Sequence, residues 1–126
     1  MATVPVIKDE DHHQPVPSEW RETFRSVVEA FRVGDLRLNG EVEHVAPINA
    51  DLADRIAGNL RAYGGQLANL PEETWATSVC QWQAEYWEVL VDLFTEEEGA
   101  VDLVLHAYVR ENGAHYAFEI LLVYVP

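Results

Sequence analysis

From residue 86 to residue 125, apolar side chains recur at every second position, in three stretches separated by turn residues. Successive side chains of a β-strand point to opposite faces of the sheet, so this spacing predicts strands with one strongly apolar face. The C-terminal part of the chain is therefore predicted to fold as an antiparallel sheet. The apolar sets are Trp87, Val89, Val91 and Leu93, then Val101, Leu103, Leu105, Ala107 and Val109, and then Tyr116, Phe118, Ile120, Leu122 and Tyr124.

The turn between the last two strands fixes their register. Asn112-Gly113 is typical of a two-residue type I′ loop, which pairs Glu111 with Ala114. A slip of one residue would put apolar side chains on both faces, so the pairing is well specified. Counting outward predicts the apolar pairs Val109–Tyr116, Ala107–Phe118, Leu105–Ile120 and Leu103–Leu122, with Leu93–Leu103 and Val91–Leu105 on the neighbouring strand.

The same register defines a second face of the sheet, which is more apolar than an ordinary solvated surface. We expect it to be covered by the 35–47 segment, by a second subunit or by a partner. The neighbours predicted on it are His106 opposite Glu119 and beside Leu90, Arg110 opposite His115, and Tyr108 between Glu88 and Ala117.

Two amphipathic helices precede the sheet. The first has Ser18 as its N-cap and ends at Gly34. The second begins near residues 49–51 and stops at Gly64-Gly65. Their apolar stripes are Trp20, Phe24, Val27, Val28 and Phe31 on the first helix, and Leu52, Ile56, Leu60 and Tyr63 on the second.

Together these elements predict an α+β fold, with two N-terminal helices packed on one face of an antiparallel meander of about four strands. Residues 1–16 contain a charged run and no apolar periodicity, so we expect a flexible tail. We expect residues 17–126 to form a single α+β domain. A chain of 126 residues buries enough surface to fold without a disulfide or a metal.

The net charge of the chain favours some classes of binding partner and disfavours others. The chain has 8 Lys and Arg against 22 Asp and Glu, a net charge of −14. Contacts with phosphate need a basic face, so binding to nucleic acid or to an anionic membrane is disfavoured. A basic protein partner is favoured and would be steered towards the chain. The alternative is that the acidity serves solubility alone.

Cysteine and histidine give little sign of catalytic or metal chemistry. A single cysteine, Cys80, cannot form an internal disulfide, and the start of the chain is unlike a signal peptide, so we expect a cytoplasmic protein. Cys80 lies in a strand-like stretch, as structural cysteines do. His12-His13 lack the spacing of a metal site. We expect no catalytic residue, no metal and no cofactor.

Candidate binding residues lie on the sheet. The His106–Glu119 pair, with Tyr108 nearby, has the residue types for acid–base chemistry, although such a pair is more often structural. Asp92 and Asp102 lie between apolar residues and are either buried and paired or exposed to water. The candidates for a basic partner are Glu96, Glu97 and Glu98 of a hairpin tip, Glu88 and Tyr108, and those for a pocket or polar pair are His106, Glu119, Asp92, Asp102 and Trp87.

Four motifs of the C-terminal region are distinctive together. They are the Trp-rich strand Ser78-Val79-Cys80-Gln81-Trp82, the strands Leu90-Val91-Asp92-Leu93 and Asp102-Leu103-Val104-Leu105, and the Val125-Pro126 end. With them, residues 20–126 resemble a group of small bacterial proteins known only as a domain of unknown function. That group is expected to carry Arg-Ser after the glycine of the hairpin loop, where this chain has Ala100-Val101. The resemblance implies a bacterial α+β protein and brings no activity with it.

Three functions are compatible with these features. The first is a non-enzymatic protein-binding module whose acidic surface engages a basic protein, for example as an immunity or inhibitor protein against a basic toxin. The second is a small-ligand-binding protein or minor enzyme, with a pocket between sheet and helices lined by Trp75, Trp82, Trp87 and His106. The third is a homodimer through the second sheet face. We expect the first, and a binding protein rather than an enzyme.

Overall fold

One antiparallel sheet and two helices make up the structure, a computed structural model that describes residues 3–126. The helices are α1, Ser18–Arg32, and α2, Ala50–Tyr63, with a 3₁₀ helix at Glu72–Ala76. The strands are β1, Gln14–Pro15, β2, Val79–Trp82, β3, Trp87–Thr95, β4, Gly99–Asn112, and β5, His115–Tyr124. They lie in the order β1-β2-β3-β4-β5. The predicted α+β architecture is confirmed, with five strands rather than about four.

The start of α1 differs from the predicted cap. Ser18 is the first helical residue, and Pro17 occupies the cap position. The Ser18 hydroxyl accepts a hydrogen bond from the Val4 amide at 2.7 Å, and the Ser18 amide donates to the Val4 carbonyl at 3.0 Å. These bonds take the place of a side-chain cap. The predicted start of α2 near residues 49–51 is confirmed, and Asn49 is its N-cap, since the Asn49 side-chain oxygen accepts from the Leu52 amide at 2.8 Å.

The core lies between the helices and one face of the sheet. Trp20 of α1 packs edge-on against Trp87 of β3 with ring centroids 5.2 Å apart, and Phe24 packs against Phe118 of β5 at 5.5 Å. Burying each of these rings stabilises the fold by roughly 1.5–3 kcal/mol or more. The whole predicted stripe of α1 is buried here, comprising Trp20, Phe24, Val27, Val28 and Phe31. Within residues 3–126 no helix has the length and apolar character needed to cross a membrane.

The register of β4 and β5 differs by two residues from the prediction. Asn112 pairs with His115, so the two-residue loop is Gly113-Ala114. Of these two residues only Gly113 has a positive φ, 63°. This pattern matches a type II′ turn, which needs glycine at its first central position. The predicted partners are wrong, since Val109 lies opposite Phe118, but a shift of two residues keeps each side chain on its predicted face.

A β-bulge changes the faces further along β5. Ile120 and Val123 both pair with core-facing residues of β4, so one extra residue, Leu121, is accommodated between them. Val123 is therefore buried in the core. Tyr124, which the alternation assigns to the core face, lies on the second face instead, opposite Val104. Leu122 is half-buried and still packs against the core cluster.

The pairing of β3 with β4 is predicted in part. Val91 lies opposite Leu105 as predicted. The predicted Leu93–Leu103 pair is not formed, because a bulge follows Asp92. Both leucines are nevertheless buried in the core, since the bulge changes their partners and not their side of the sheet.

The N-terminal segment, residues 3–16, lies against the domain, although its composition predicts a flexible tail; residues 1 and 2 fall outside the described part. β1 pairs with β2, Val16 is fully buried, and the Trp87 indole donates to the Ile7 carbonyl at 3.0 Å. These contacts use backbone groups and a two-residue edge pairing. Contacts of this kind produce no apolar periodicity in the sequence, so the sequence pattern does not predict them.

The 35–47 segment runs along the free edge of β5 and leaves the second sheet face uncovered. The Asp35 carboxylate accepts hydrogen bonds from the Asn39 and Gly40 amides at 2.8 and 2.9 Å, which closes a turn. The Phe118 amide donates to the His44 carbonyl at 2.9 Å in a short parallel bridge. The predicted strand pieces are thus replaced by turns and one bridge.

Candidate functional site

The second face of the sheet points away from the core, and we call it the open face. The buried side chains of both helices belong to the core on the opposite side. The open face is therefore the part of the sheet that a partner can reach. Its residues are Val79 and Gln81 of β2, Glu88, Leu90 and Asp92 of β3, Val104, His106, Tyr108 and Arg110 of β4, and Ala117, Glu119 and Tyr124 of β5.

An aromatic and apolar cluster occupies the centre of the open face. Tyr86, just before β3, lies against Tyr108 with ring centroids 4.2 Å apart. The His106 ring lies 5.8 Å from that of Tyr108 and 6.2 Å from that of Tyr124. Val104 is only 6% exposed although it is outside the core cluster, so its neighbours on the face cover it. The open face thus offers half-buried aromatic side chains, a residue type enriched at protein interfaces.

Charged groups surround this cluster. The Arg110 guanidinium carbon lies 5.5 Å from the Tyr86 ring centroid and 5.6 Å from that of Tyr108. Its Nη1 atom is 3.0 Å from Glu119 Oε1. Glu88 and Asp92 lie on the neighbouring strand. The open face thus carries one guanidinium against three carboxylates, and its net charge is negative.

The prediction that His106 lies opposite Glu119 is wrong. His106 lies beside Leu90, as predicted, but the register shift and the bulge of β5 move Glu119 away from it. The His106 Nε2 atom is instead 3.2 Å from Glu88 Oε2, without the direction of a hydrogen bond. Nε2 is buried without a hydrogen-bond partner. This contact does not have the geometry of an acid–base pair.

Tyr108 lies between two carboxylates. Its cross-strand neighbours are Glu88, as predicted, and Glu119 in place of the predicted Ala117. The pKa of Tyr108 is raised above its ordinary value, mainly by a hydrogen bond with the neighbouring Tyr86 side chain and secondarily by burial. The ring therefore stays neutral throughout the physiological pH range and can present its π-face to a cation. Arg110 likewise lies opposite Ala117 and not opposite the predicted His115.

The predicted acidic tip of the β3–β4 hairpin is partly committed to the fold. Glu96, Glu97 and Glu98 are all exposed. Glu97 Oε1, however, accepts a hydrogen bond from the Gln66 amide at 2.9 Å, just after the end of α2. The Glu98 amide donates to Thr95 Oγ1 at 3.2 Å. The tip therefore anchors the α2 terminus, and its carboxylates lie apart from the aromatic cluster.

The two aspartates differ in exposure. Asp92 is half-buried, with its backbone amide donating to Ser78 Oγ at 2.9 Å and its carbonyl accepting from Thr74 Oγ1 at 2.6 Å. Asp102 is exposed, and its amide donates to the Tyr63 hydroxyl at 3.4 Å. The structure does not bring the two carboxylates together as a pair.

The structure separates the residues of the hypothetical pocket. Trp75 and Trp87 are buried in the core, whereas His106 lies on the open face. The Trp87 indole is held by the Ile7 carbonyl. An open cleft of about 560 Å³ lies elsewhere, between α1 and the 35–42 loop, and its lining includes Glu29. The four predicted lining residues therefore do not form a common cavity.

Outside the open face, Cys80 and the possible metal ligands can be compared with the sequence predictions. Burial raises the pKa of Cys80 to about 11, so the thiol is protonated at neutral pH and is a poor nucleophile. Nowhere in residues 3–126 do three or more His, Cys, Asp or Glu side chains form a group that could hold a metal ion. His44 and His115 stack with ring centroids 3.9 Å apart, a contact that the sequence gives no means to predict.

Comparison with known protein families identifies the family of the chain. The model of the domain of unknown function DUF7668 matches residues 28–126. The chain belongs to this family. The DUF7668 match begins within α1 and includes α2 and β2 to β5, the strands that carry the open face. The resemblance seen in the sequence is confirmed, and the family description states no activity. Neither the curated proteins nor the solved structures give a match to the chain.

Proposed function

We propose that this protein is a non-enzymatic protein-binding module that engages a basic protein through its open face. The observation that carries the proposal is the aromatic and apolar cluster around Tyr108, which no helix of the core layer covers. Burying this cluster against a partner would remove apolar surface from water. Tyrosine and arginine are also enriched among the residues that dominate protein interfaces.

Charge selects the kind of partner. Glu88, Asp92 and Glu119 give the open face a negative charge that Arg110 offsets only in part, and the whole chain carries −14. A second copy of the chain would bring the same carboxylates into opposition. A basic partner instead gains complementary contacts and is steered towards the face. The charge of the open face therefore favours a basic protein over a homodimer.

An inhibitor or immunity role is the concrete form of the proposal. Such a protein needs a rigid surface, no chemistry of its own and a charge opposite to that of its target. The open face lies on a continuous sheet, and long-range steering by a net charge of −14 speeds association with a basic target. The proposed target is a basic protein whose active or binding surface the open face covers.

Affinity capture with paired variants tests the proposal. Leu90→Asp adds a carboxylate to the middle of the open face, and Val33→Asp adds one at an apolar residue that is 66% exposed beyond the end of α1. Lysate of the source cells is passed over wild-type protein and each variant, at low and moderate salt, and bound proteins are identified by mass spectrometry. Thermal melting establishes that both variants are folded.

We expect one basic protein on the wild type and on Val33→Asp, recovered less at moderate salt, and absent from Leu90→Asp. Recovery of the same protein on Leu90→Asp would move the interface away from the open face. A captured protein without positive charge would contradict the choice of partner. Dimerisation of the wild type that Leu90→Asp abolishes would favour a second copy as the occupant.

A further inference from the structure

We propose that Tyr86, Tyr108 and Glu119 form a binding site for a guanidinium group of the basic partner, and that the chain's own Arg110 fills this site in the free protein. The inference rests on the proposed function, because it names the group of the partner that the open face takes.

The geometry of the site is that of a cation on an aromatic surface. The two tyrosine rings lie 4.2 Å apart between centroids and are tilted by 39°, so they pack against each other. The Arg110 guanidinium carbon lies within 6 Å of both centroids, at 5.5 and 5.6 Å, which is the range of a cation–π contact. Glu119 receives one nitrogen of the same guanidinium at 3.0 Å. Ring faces and carboxylate therefore act on a single group.

Two carboxylates flank Tyr108, the central ring of the proposed site. Glu88 and Glu119 occupy the cross-strand positions on either side of Tyr108. Only Glu119 is engaged by Arg110, while Glu88 lies beside His106. No Lys or Arg of the open face engages Glu88, so a carboxylate remains beside Tyr108 for a second cation even with Arg110 in place.

Arg110 is held loosely enough to be exchanged. Its side chain is 46% exposed and that of Glu119 is 50% exposed. Exposed ion pairs contribute little net stability, because water screens them and two long side chains must be ordered. Arg110 can therefore turn into solvent when a partner supplies a guanidinium together with its own apolar contacts. In the free protein it acts as a tethered competitor for the site.

The chemistry selects arginine over lysine. A guanidinium is planar, stacks on aromatic rings and presents parallel N–H groups to a carboxylate, whereas an ammonium is compact and strongly hydrated. The tilted pair of rings and the carboxylate at their side suit the planar group.

Titration with a small probe tests the site without the partner. The probes are N-acetyl-arginine amide and N-acetyl-lysine amide, which carry the same charge and differ in the cationic group and by one methylene in the stem. Binding is followed by two-dimensional NMR of the labelled full chain. Arg110→Gln empties the site. Arg55→Gln removes the same charge from an exposed position of α2 and serves as the control. Tyr108→Leu in the Arg110→Gln background removes the ring face and keeps apolar bulk, so that the fold is retained.

We expect Arg110→Gln to bind the arginine probe roughly threefold or more tightly than the wild type or Arg55→Gln, with the largest shifts at Tyr86 and Tyr108. The lysine probe binds more weakly, and Tyr108→Leu removes the gain. Equal affinity of Arg110→Gln and Arg55→Gln would overturn the inference, because the effect would then be one of net charge. Equal binding of the two probes, or shifts outside the open face, would overturn it as well.

The outcome is separable from that of the proposed function. Suppose that capture recovers a basic protein that does not bind Leu90→Asp, while Arg110→Gln binds the arginine probe no more tightly than the wild type. In that case only the guanidinium site is wrong. If the probe binds as expected while capture yields no basic protein, the site stands and the protein partner is wrong.

Discussion

The two faces of the sheet come from the same strands and differ in almost every property. On β3, Trp87, Val89 and Val91 point into the core and are fully buried, while the alternate residues, such as Glu88 and Leu90, are half-buried on the open face. The core face is covered by two helices. The open face retains apolar surface without such cover. One strand thus supplies the stability of the fold and, at every second residue, the surface proposed for binding.

The bulge of β5 sharpens this difference. Without the extra Leu121, the alternation would carry Leu122 and Tyr124 into the core. With it, Val123 takes the core position, and Tyr124 joins the open face with its ring 6.2 Å from that of His106. The open face gains an aromatic ring through one inserted residue.

Leucine substitutions on opposite faces give the largest expected difference. Leu105→Ala removes a fully buried side chain from the core and is expected to cost about 2–5 kcal/mol of unfolding free energy. Leu90→Ala, on the open face, is expected to cost roughly 1 kcal/mol or less, because water already reaches part of the side chain. Urea titration measures both. Equal losses of unfolding free energy would mean that side chains on the open face are as fully buried as those on the core face.

The β4–β5 turn offers a test of the register that defines both faces. Gly113→Val forces a β-branched residue to a φ of 63° and is expected to cost about 1–3 kcal/mol. Asn112→Val is the matched control, since Asn112 lies in β4, and its effect should be close to zero. Comparable losses from both variants would point to an Asn112-Gly113 loop and to a register two residues away.

Substitution of Cys80 is expected to change the unfolding free energy least, and in a way that depends most on pH. It lies on the core face, and burial raises the pKa of its thiol from 9.0 to about 11. The neutral thiol is favoured in the folded state, so its contribution to stability is complete below about pH 9 and is lost as the pH rises through about 11.

Cys80→Ala should therefore flatten the decline of the unfolding free energy between pH 8 and pH 10.5, measured in urea. Folded wild-type protein should also react with a disulfide reagent at pH 8 far more slowly than unfolded protein does. Reaction at the rate of a free thiol would show that the core face is open to solvent at this strand.

The alternation of the sequence predicts the strands and most of the two faces, because side-chain parity survives a shift of two residues. Glu88, His106 and Tyr108 are accordingly on one face, as predicted. Exact partners are not predictable where the chain offers consecutive apolar residues. Ile120-Leu121-Leu122-Val123 can place its bulge at several positions, and the packing of α2 against β5 is a tertiary constraint that the pattern does not contain.

The candidate site is predictable in its residue types and not in its contacts. Glu119 is a predicted site residue, but its contact with Arg110 depends on the register. Tyr86 joins the site through the loop before β3, in which Ala84 has a positive φ of 75° and the Gln83 amide donates to the Tyr86 carbonyl at 2.7 Å. A loop conformation of this kind carries no periodic signal.

Radical footprinting of the tyrosines, read by mass spectrometry, tests the central claim most directly. The chain is labelled alone and in complex with the partner recovered by capture. Tyr86 and Tyr108 lie on the open face, and Tyr63 on α2 is the internal reference. We expect strong protection of Tyr86 and Tyr108 in the complex, with Tyr63 unchanged. Protection of Tyr63 with Tyr86 and Tyr108 labelled as in the free chain would contradict it.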